Sequence, residues 1–316
     1  MQRFAITAET IYMNTKYLIT VVGPTAIGKT ALAINLAQHF STEIISSDSR
    51  QFFKETCIGT AVPEPEELEA VKHHFIQHKS IFEAYSVGDF EKEALTLLDE
   101  LFKTHDVVIM AGGSGLYNNA VIEGLDDFPT VDASVREELN QQLEQQGIEG
   151  LQEKLKSLDP QHYQHIDIQN PHRIIRALEI CIGTGKPYSS FLNKKKNKRP
   201  FQTIKVGLTA DREIIYNRID MRVDIMMKNG LLEEAKSVYP HKSLNALQTV
   251  GYRELFEYFD GNFSLDFAVS EIKKNTRRFA KRQLTWLRKD ESILWFDYQA
   301  KFEDILSEVV RNIKWI

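Results

Sequence analysis

The chain has little cysteine: Cys57 and Cys181 in 316 residues, far apart and in no C-x-x-C pair. That scarcity excludes a disulfide framework and a cysteine-built zinc site, and it points to two reduced thiols in a cytoplasmic protein. No stretch approaches the ~18 successive apolar residues of a membrane span, so no membrane partner is expected. Residues 1–15 lack the basic start and apolar core of a secretory signal. There is no internal repeat. A net charge of −5 carries no global footprint of nucleic-acid binding, so any such site must be local. The hydrophobic share of 42% and charged share of 26% are those of an ordinary globular protein, long enough for two domains or for one with a large insertion.

What is present is a phosphate-binding loop, Gly23-Pro24-Thr25-Ala26-Ile27-Gly28-Lys29-Thr30, matching G-x-x-x-x-G-K-[ST] at every fixed position. An apolar strand pattern, Leu18 to Val22, leads into it, and a helical pattern from Ala31 to Ala37 leaves it. Such a loop turns backbone N–H groups toward an anion at a helix N-terminus. The pattern is that of ATP-binding and other nucleotide-binding loops, but by itself it specifies a diphosphate, not what the diphosphate is attached to. Lys29 is the expected phosphate partner, and the Thr30 hydroxyl the expected Mg²⁺ ligand.

Alternating strand and helix patterns predict an α/β fold, a P-loop doubly wound parallel sheet. Strands are expected at 43–48, 106–113, 203–208 and 293–296, and helices at 88–103, 211–228 and 265–288. From about residue 128 the chain turns helical, polar and rich in Gln and Glu, with stops at Gly147, Pro160 and Gly183/Gly185 and with Asp132 placed to cap a helix. The expected organisation is an N-terminal tail at 1–13, a first core segment at 14–127, an α-helical insertion at 128–199 and a second core segment at 200–316.

Four further features bear on chemistry. Asp48 ends the second strand, where it can act as general base, metal ligand or helix cap. The third strand runs into Gly112-Gly113-Ser114-Gly115-Leu116-Tyr117 without the strand-end carboxylate that holds Mg²⁺ in many P-loop hydrolases. That turn leaves room for a bulky ligand, or else packs tightly against the loop helix. Arg218 and Arg222, spaced i, i+4, share a helix face and can clamp phosphate oxygens or pair with Asp220 and Asp224. Residues 273–289 hold a dense run of lysines and arginines and no acid, a local footprint for a polyanion unless the run is simply a solvated face. His73, His74 and His78 lack partner ligands at a convincing spacing and read as packing or loop residues.

Taken in order, these segments resemble the bacterial tRNA dimethylallyltransferase family. The resemblance rests on the loop at 23–30, Ile-Ser-Ser-Asp-Ser-Arg-Gln at 45–51, Ile-Gly-Thr-Ala at 58–61 and Tyr-Ser-Val-x-Asp-Phe at 85–90. It continues through Gly-Gly-Ser-Gly-Leu-Tyr at 112–117, Asn-Pro-His-Arg-Ile-Ile-Arg-Ala-Leu-Glu at 170–179, Val-Gly-Tyr-Arg-Glu at 250–254 and Thr-Arg-Arg-Phe-Ala-Lys-Arg-Gln-Leu-Thr-Trp-Leu-Arg at 276–288.

The resemblance implies transfer of a dimethylallyl group from dimethylallyl diphosphate to the exocyclic amine of the adenine 3′ of a tRNA anticodon. It casts Asp48 as general base, with Ser114 and Arg222 in the catalytic set, and the 23–30 loop as holder of the diphosphate with Mg²⁺. It turns Asp48, Ser49, Arg50, Gln51, Arg136, His172, Arg173, Arg176, Gln248, Gly251, Arg253, Arg277, Arg278, Lys281 and Arg282 toward the anticodon stem-loop. A monomer is expected. The family usually has Thr where Ser114 stands, Ser or Thr where Ile27 stands and often Asp where Gln77 stands. Rival readings are a P-loop small-molecule kinase with ATP in the loop and a non-catalytic tRNA-binding paralogue.

Overall fold

The computed structural model describes residues 15–192 and 198–313. The tail expected at 1–13 lies outside them, as do Lys194–Asn197 of the basic run before Pro200. In chain order the elements are β1 (Lys16–Val22), α1 (Lys29–His39), β2 (Ile44–Ser46), α2 (Pro65–Ala70), β3 (His73–His74), α3 (Val87–Leu101), β4 (Val107–Ala111) and α4 (Gly115–Glu123). Then come α5 (Ala133–Gln146), α6 (Ile148–Leu158), α7 (Pro160–Tyr163) and α8 (Pro171–Thr184). The chain closes with β5 (Phe201–Thr209), α9 (Arg212–Lys228), α10 (Leu231–Val238), α11 (Tyr252–Phe259), α12 (Leu265–Leu287), β6 (Ile293–Asp297) and α13 (Phe302–Asn312).

All pairings in the sheet are parallel, in the order β3-β2-β4-β1-β5-β6. β1 is buried from Tyr17 to Val22 because side chains on both its faces meet helices. Its period of two sorts them: Tyr17, Ile19 and Val21 join a core with Leu36 of α1, Ile215 of α9 and Val309 of α13. Leu18 joins the opposite core with Phe90, Ala94 and Leu98 of α3. β4 sits between β1 and β2, while β5 lies on the other side of β1. Connections thus leave β1 in both directions, which opens a crevice at the carboxyl ends of the central strands, where ligands of such sheets bind.

The strand expected at 43–48 is shorter, Ile44–Ser46, because Asp48 turns the chain: its carboxylate accepts the Arg50 N–H at 3.2 Å and caps a 3-10 turn over Ser49–Phe52. The glycine turn after β4 feeds directly into α4, and the polar stretch at 63–65 starts α2, with Pro65 at its first position. His73-His74 forms a short edge strand, its His74 paired with Glu43.

Contacts divide the chain into one unit of residues up to 122 and from 199 onward, and a second spanning Glu123–Lys198. The second unit is helical. Asp132 caps α5 by accepting the Ser134 N–H, Asn170 caps α8 ahead of Pro171, and Gly185 ends α8 at φ 68°. Leu139, Leu151, Leu155, Ile174 and Leu178 form its core. Asp159 is buried there with no ion pair among the described residues, and accepts N–H groups from His162 and Ser189 and the Ser189 hydroxyl, which offset its charge. Among the described residues, no helix is long and apolar enough to cross a membrane.

Candidate active site

The loop between β1 and α1 is built to present N–H groups. Gly28 stands at the N-cap of α1 with φ 110°, and no side chain caps the helix, so its first N–H groups stay free. Gly23 lies where a Cβ would come within 2.6 Å of the Leu208 carbonyl oxygen, so only glycine lets the loop pass beneath β5. Lys29 donates to the Pro24 carbonyl at 2.8 Å, folding its ammonium back over the loop. The Thr30 hydroxyl lines the cavity and makes no hydrogen bond among the described residues. Ile27 is 2% exposed and packs into the core, so a hydroxyl at that position would point away from the anion.

Asp48 reaches the same cavity from the end of β2, and a close approach puts it there. A Cβ on Gly112 would meet Ser47 Oγ at 2.3 Å and the Asp48 nitrogen at 2.7 Å. The turns after β2 and β4 therefore touch, and Asn118 seals the contact by pairing with Ser47 Oγ at 2.5 Å and donating to the Gly112 carbonyl at 3.3 Å. Asp48 Oδ2 makes no hydrogen bond among the described residues and lies 3.8 Å from where a Gly113 Cβ would stand.

The resulting cavity holds about 570 Å³ and is lined by Thr25–Thr30, Asp48, Arg50, Gln51, Arg218 and Arg222. Apolar Ile58, Val62, Leu68, Met226 and Phe279 line other parts of it, and Glu64 and Glu67 add two carboxylates. Burial pushes the Lys29 pKa down to about 8; Asp48 pulls it up and Arg222 pushes it further down. The surrounding protein also lowers the pKa of Arg222, again against the pull of Asp48. Arg218 donates to the Ala26 carbonyl at 2.7 Å and lies over the Tyr298 ring, which braces the loop from α9. Asp220 and Asp224 pair with Arg277 and Lys273 of α12, leaving Arg218 and Arg222 to the cavity.

Several expected residues are placed differently from a simple list of contacts. Ser114 is absent from the lining, and its hydroxyl is held by Ser49, accepting the Ser49 N–H at 3.2 Å. Arg50 donates to the carbonyls of Gly59 and Val250, and Gln51 to those of Thr60 and Ala61, so both side chains hold the wall at 59–61. Arg136 and Arg176 both pair with buried Glu179. His172, Arg173 and Arg253 are exposed, whereas Gln248 donates to the Lys242 carbonyl. Gly251, at φ 105°, opens α11.

The basic run at 273–289 is not a set of unpaired cations. Lys273 and Arg277 pair with Asp224 and Asp220, because α9 runs beside this part of α12, and Lys274 pairs with Glu271 one turn earlier on α12 itself. Lys281, Arg282, Arg288 and Lys289 are exposed and have no ion pair among the described residues. Among the described residues, the Arg278 side chain donates to Asn275 and makes no ion pair.

Two partners escaped the sequence reading. Glu234 of α10 accepts the N–H groups of Cys57, Ile58 and Gly59 and the Tyr252 hydroxyl, fixing the cavity wall at 57–59. Gln283 of α12 accepts the Thr25 N–H and donates to the Gly113 carbonyl. The only signal for Gln283 was an uncharged side chain within a basic run; Glu234 left none.

The uncapped loop after β1, the Asp48 carboxylate from the turn after β2 and two arginines of α9 thus share one cavity in an α/β fold, with no acid at the end of β4. A family model described as IPP transferase matches residues 51–290. A tRNA dimethylallyltransferase of Flavobacterium johnsoniae is 63% identical over 95% of this chain and 99% of its own length. The tRNA dimethylallyltransferase 1 of Bacteroides fragilis is 48% identical over 96% of this chain and 100% of its own. The crystal structure of the full-length tRNA isopentenylpyrophosphate transferase from Bacillus halodurans superposes with a TM-score of 0.70 at 37% identity, over 94% of this chain and 95% of that one. A eukaryotic dimethylallyltransferase acting on tRNA gives 0.78 at 27% identity, over 94% and 78%. The chain belongs to the IPP transferase family.

The depressed Lys29 pKa makes anion binding depend on pH. The protonated ammonium attracts the anion, so affinity is full below about pH 8 and falls as the pH rises through that value. Dimethylallyl diphosphate, titrated calorimetrically in the absence of RNA, should bind about tenfold more weakly at pH 9 than at pH 7. Lys29→Arg, whose charge does not titrate there, should flatten that profile. A wild-type profile as flat as the variant's would contradict the role of Lys29.

Proposed function

We propose that the chain transfers a dimethylallyl group from dimethylallyl diphosphate to the exocyclic amine of the adenine 3′ of the anticodon in tRNA. The observation that carries this reading is Asp48 Oδ2, without a hydrogen bond among the described residues, in the same cavity as the 23–30 loop, Lys29 and Arg222. The relatives, named as enzymes of this reaction, match nearly end to end.

In this reading the allylic C–O bond breaks and its electron pair leaves with the diphosphate. The free N–H groups of the loop, Lys29 and Arg222 stabilise the charge that grows there. The adenine amine supplies the pair for the new C–N bond, and Asp48 takes the proton the amine gives up. Apolar side chains such as Ile58, Met226 and Phe279 shelter the allylic cation from water. The Thr30 hydroxyl, which lines the cavity, would hold Mg²⁺ together with the donor. When bound, the ion would neutralise diphosphate charge. Ser114 acts through Ser49, fixing the turn that carries Asp48.

The RNA backbone is held by the unpaired end of α12, at Arg278, Lys281 and Arg282, with Arg277 committed to Asp220. On the second unit, exposed His172 and Arg173 provide contacts at the start of α8.

Asp48→Asn should lower turnover by about 10²–10⁴-fold while tRNA affinity stays near wild type. Unchanged turnover would remove Asp48 from the mechanism. Lys281→Ala combined with Arg282→Ala should weaken tRNA binding and reduce the slope of log affinity against log salt by about two. A slope equal to wild type would take those two side chains off the phosphates.

A further inference from the structure

The end of α12 carries exposed cations, but one polar side chain there is buried. Gln283 is only 8% exposed, while Lys281, Arg282 and Arg288 around it face solvent. Its amide is used at both ends: Oε1 accepts the Thr25 N–H at 3.0 Å, and Nε2 donates to the Gly113 carbonyl at 2.9 Å. Thr25 belongs to the cradle after β1, and Gly113 to the turn after β4. A Cβ on Gly113 would lie 2.3 Å from Gln283 Nε2, so glycine there makes room for the amide. The same Cβ position lies 3.8 Å from Asp48 Oδ2, so the turn that Gln283 grips also borders the acid.

A neutral amide suits this place for a physical reason. Thr25 presents a donor and Gly113 an acceptor, and one group must answer both. Ionised carboxylates only accept, ammonium groups only donate, and either would add charge beside the anion site. Losing the amide would leave a loop N–H and a turn carbonyl unpaired in a half-dry cleft, and both segments would then shift to find water. The N–H groups of the cradle stabilise an anion best when their geometry is set beforehand.

We propose that Gln283 is a positioning residue: it sets the spacing between the diphosphate cradle and the Gly113–Asp48 rim, and so preorganises the donor site without touching RNA or donor. This rests on the reading of the 23–30 loop as the diphosphate holder. The role belongs to the amide's two hydrogen bonds, not to the volume that the side chain fills.

The test compares wild type, Gln283→Met and Gln283→Glu, each as the full chain. Inorganic diphosphate with Mg²⁺ and an anticodon stem-loop RNA are titrated separately. Gln283→Met keeps the volume and loses both bonds, so diphosphate affinity should fall about tenfold or more. RNA affinity should stay within about twofold, and in steady state KM should rise for the donor and not for tRNA. Gln283→Glu should bind diphosphate more weakly than wild type at pH 8, with the ratio to wild type recovering toward pH 5, where a protonated carboxyl again donates and accepts. Wild-type diphosphate affinity in Gln283→Met overturns the proposal. So does an equal loss of diphosphate and RNA binding, or a Gln283→Glu ratio that ignores pH. Failure of the wild type itself to bind diphosphate would instead overturn the reading of the loop.

Discussion

The site depends on one close approach. Gly112 brings the end of β4 so near the end of β2 that a methyl group there would overlap Ser47 and the Asp48 nitrogen. Parallel strands that share a sheet do not by themselves deliver their following turns into contact. Here the missing side chain permits the contact, and Asn118 holds it through Ser47 and the Gly112 carbonyl. Asp48 then has one direction left, into the cavity beside Lys29. A doubly wound sheet supplies the crevice; the glycine decides which carboxylate stands in it.

The balance of charge follows from that placement. Lys29, Arg50, Arg218 and Arg222 line the cavity together with Asp48, Glu64 and Glu67. The cations are not neutralised by side chains of their own helix, because Asp220 and Asp224 are taken by α12. The remaining positive charge suits an incoming diphosphate, while burial, more than the charge of Arg222, lowers the pKa of Lys29. The pairing of α9 with α12 has a second effect: it consumes the cations at 273 and 277, while Glu271 of α12 itself takes Lys274, and those from 278 onward are left for a polyanion.

Much of this was legible in the chain itself. The apolar runs of β1 and β4 mark buried parallel strands, and the glycines at 23 and 28 mark the cradle, because those signals are local. Asp132 and the stops at Gly147, Pro160 and Gly185 delimit α5, α6 and α8 for the same reason. Partners distant in sequence were not legible. Spacing on α9 left open whether Arg218 and Arg222 would meet Asp220 and Asp224; the packing of a helix more than 40 residues later answered it. Arg50 and Gln51 look like ligand contacts on a motif, yet they hold the wall at 59–61, and Arg136 is tied to Glu179. Glu234 and Gln283 act on backbone groups more than 170 residues away, which no pattern of side chains records.

The central claim is that the 23–30 loop holds the leaving diphosphate of an allylic donor and that the nucleotide in this chemistry is the acceptor base of an RNA. The most direct test is mass spectrometry of an unmodified tRNA after incubation with the purified protein and either dimethylallyl diphosphate or ATP, with released diphosphate assayed in parallel. The account predicts that the allylic donor adds one dimethylallyl group to the adenine 3′ of the anticodon, with one diphosphate released per modified base, and that ATP yields neither. Consumption of ATP with phosphoryl transfer, and an RNA of unchanged mass with either compound, would contradict it.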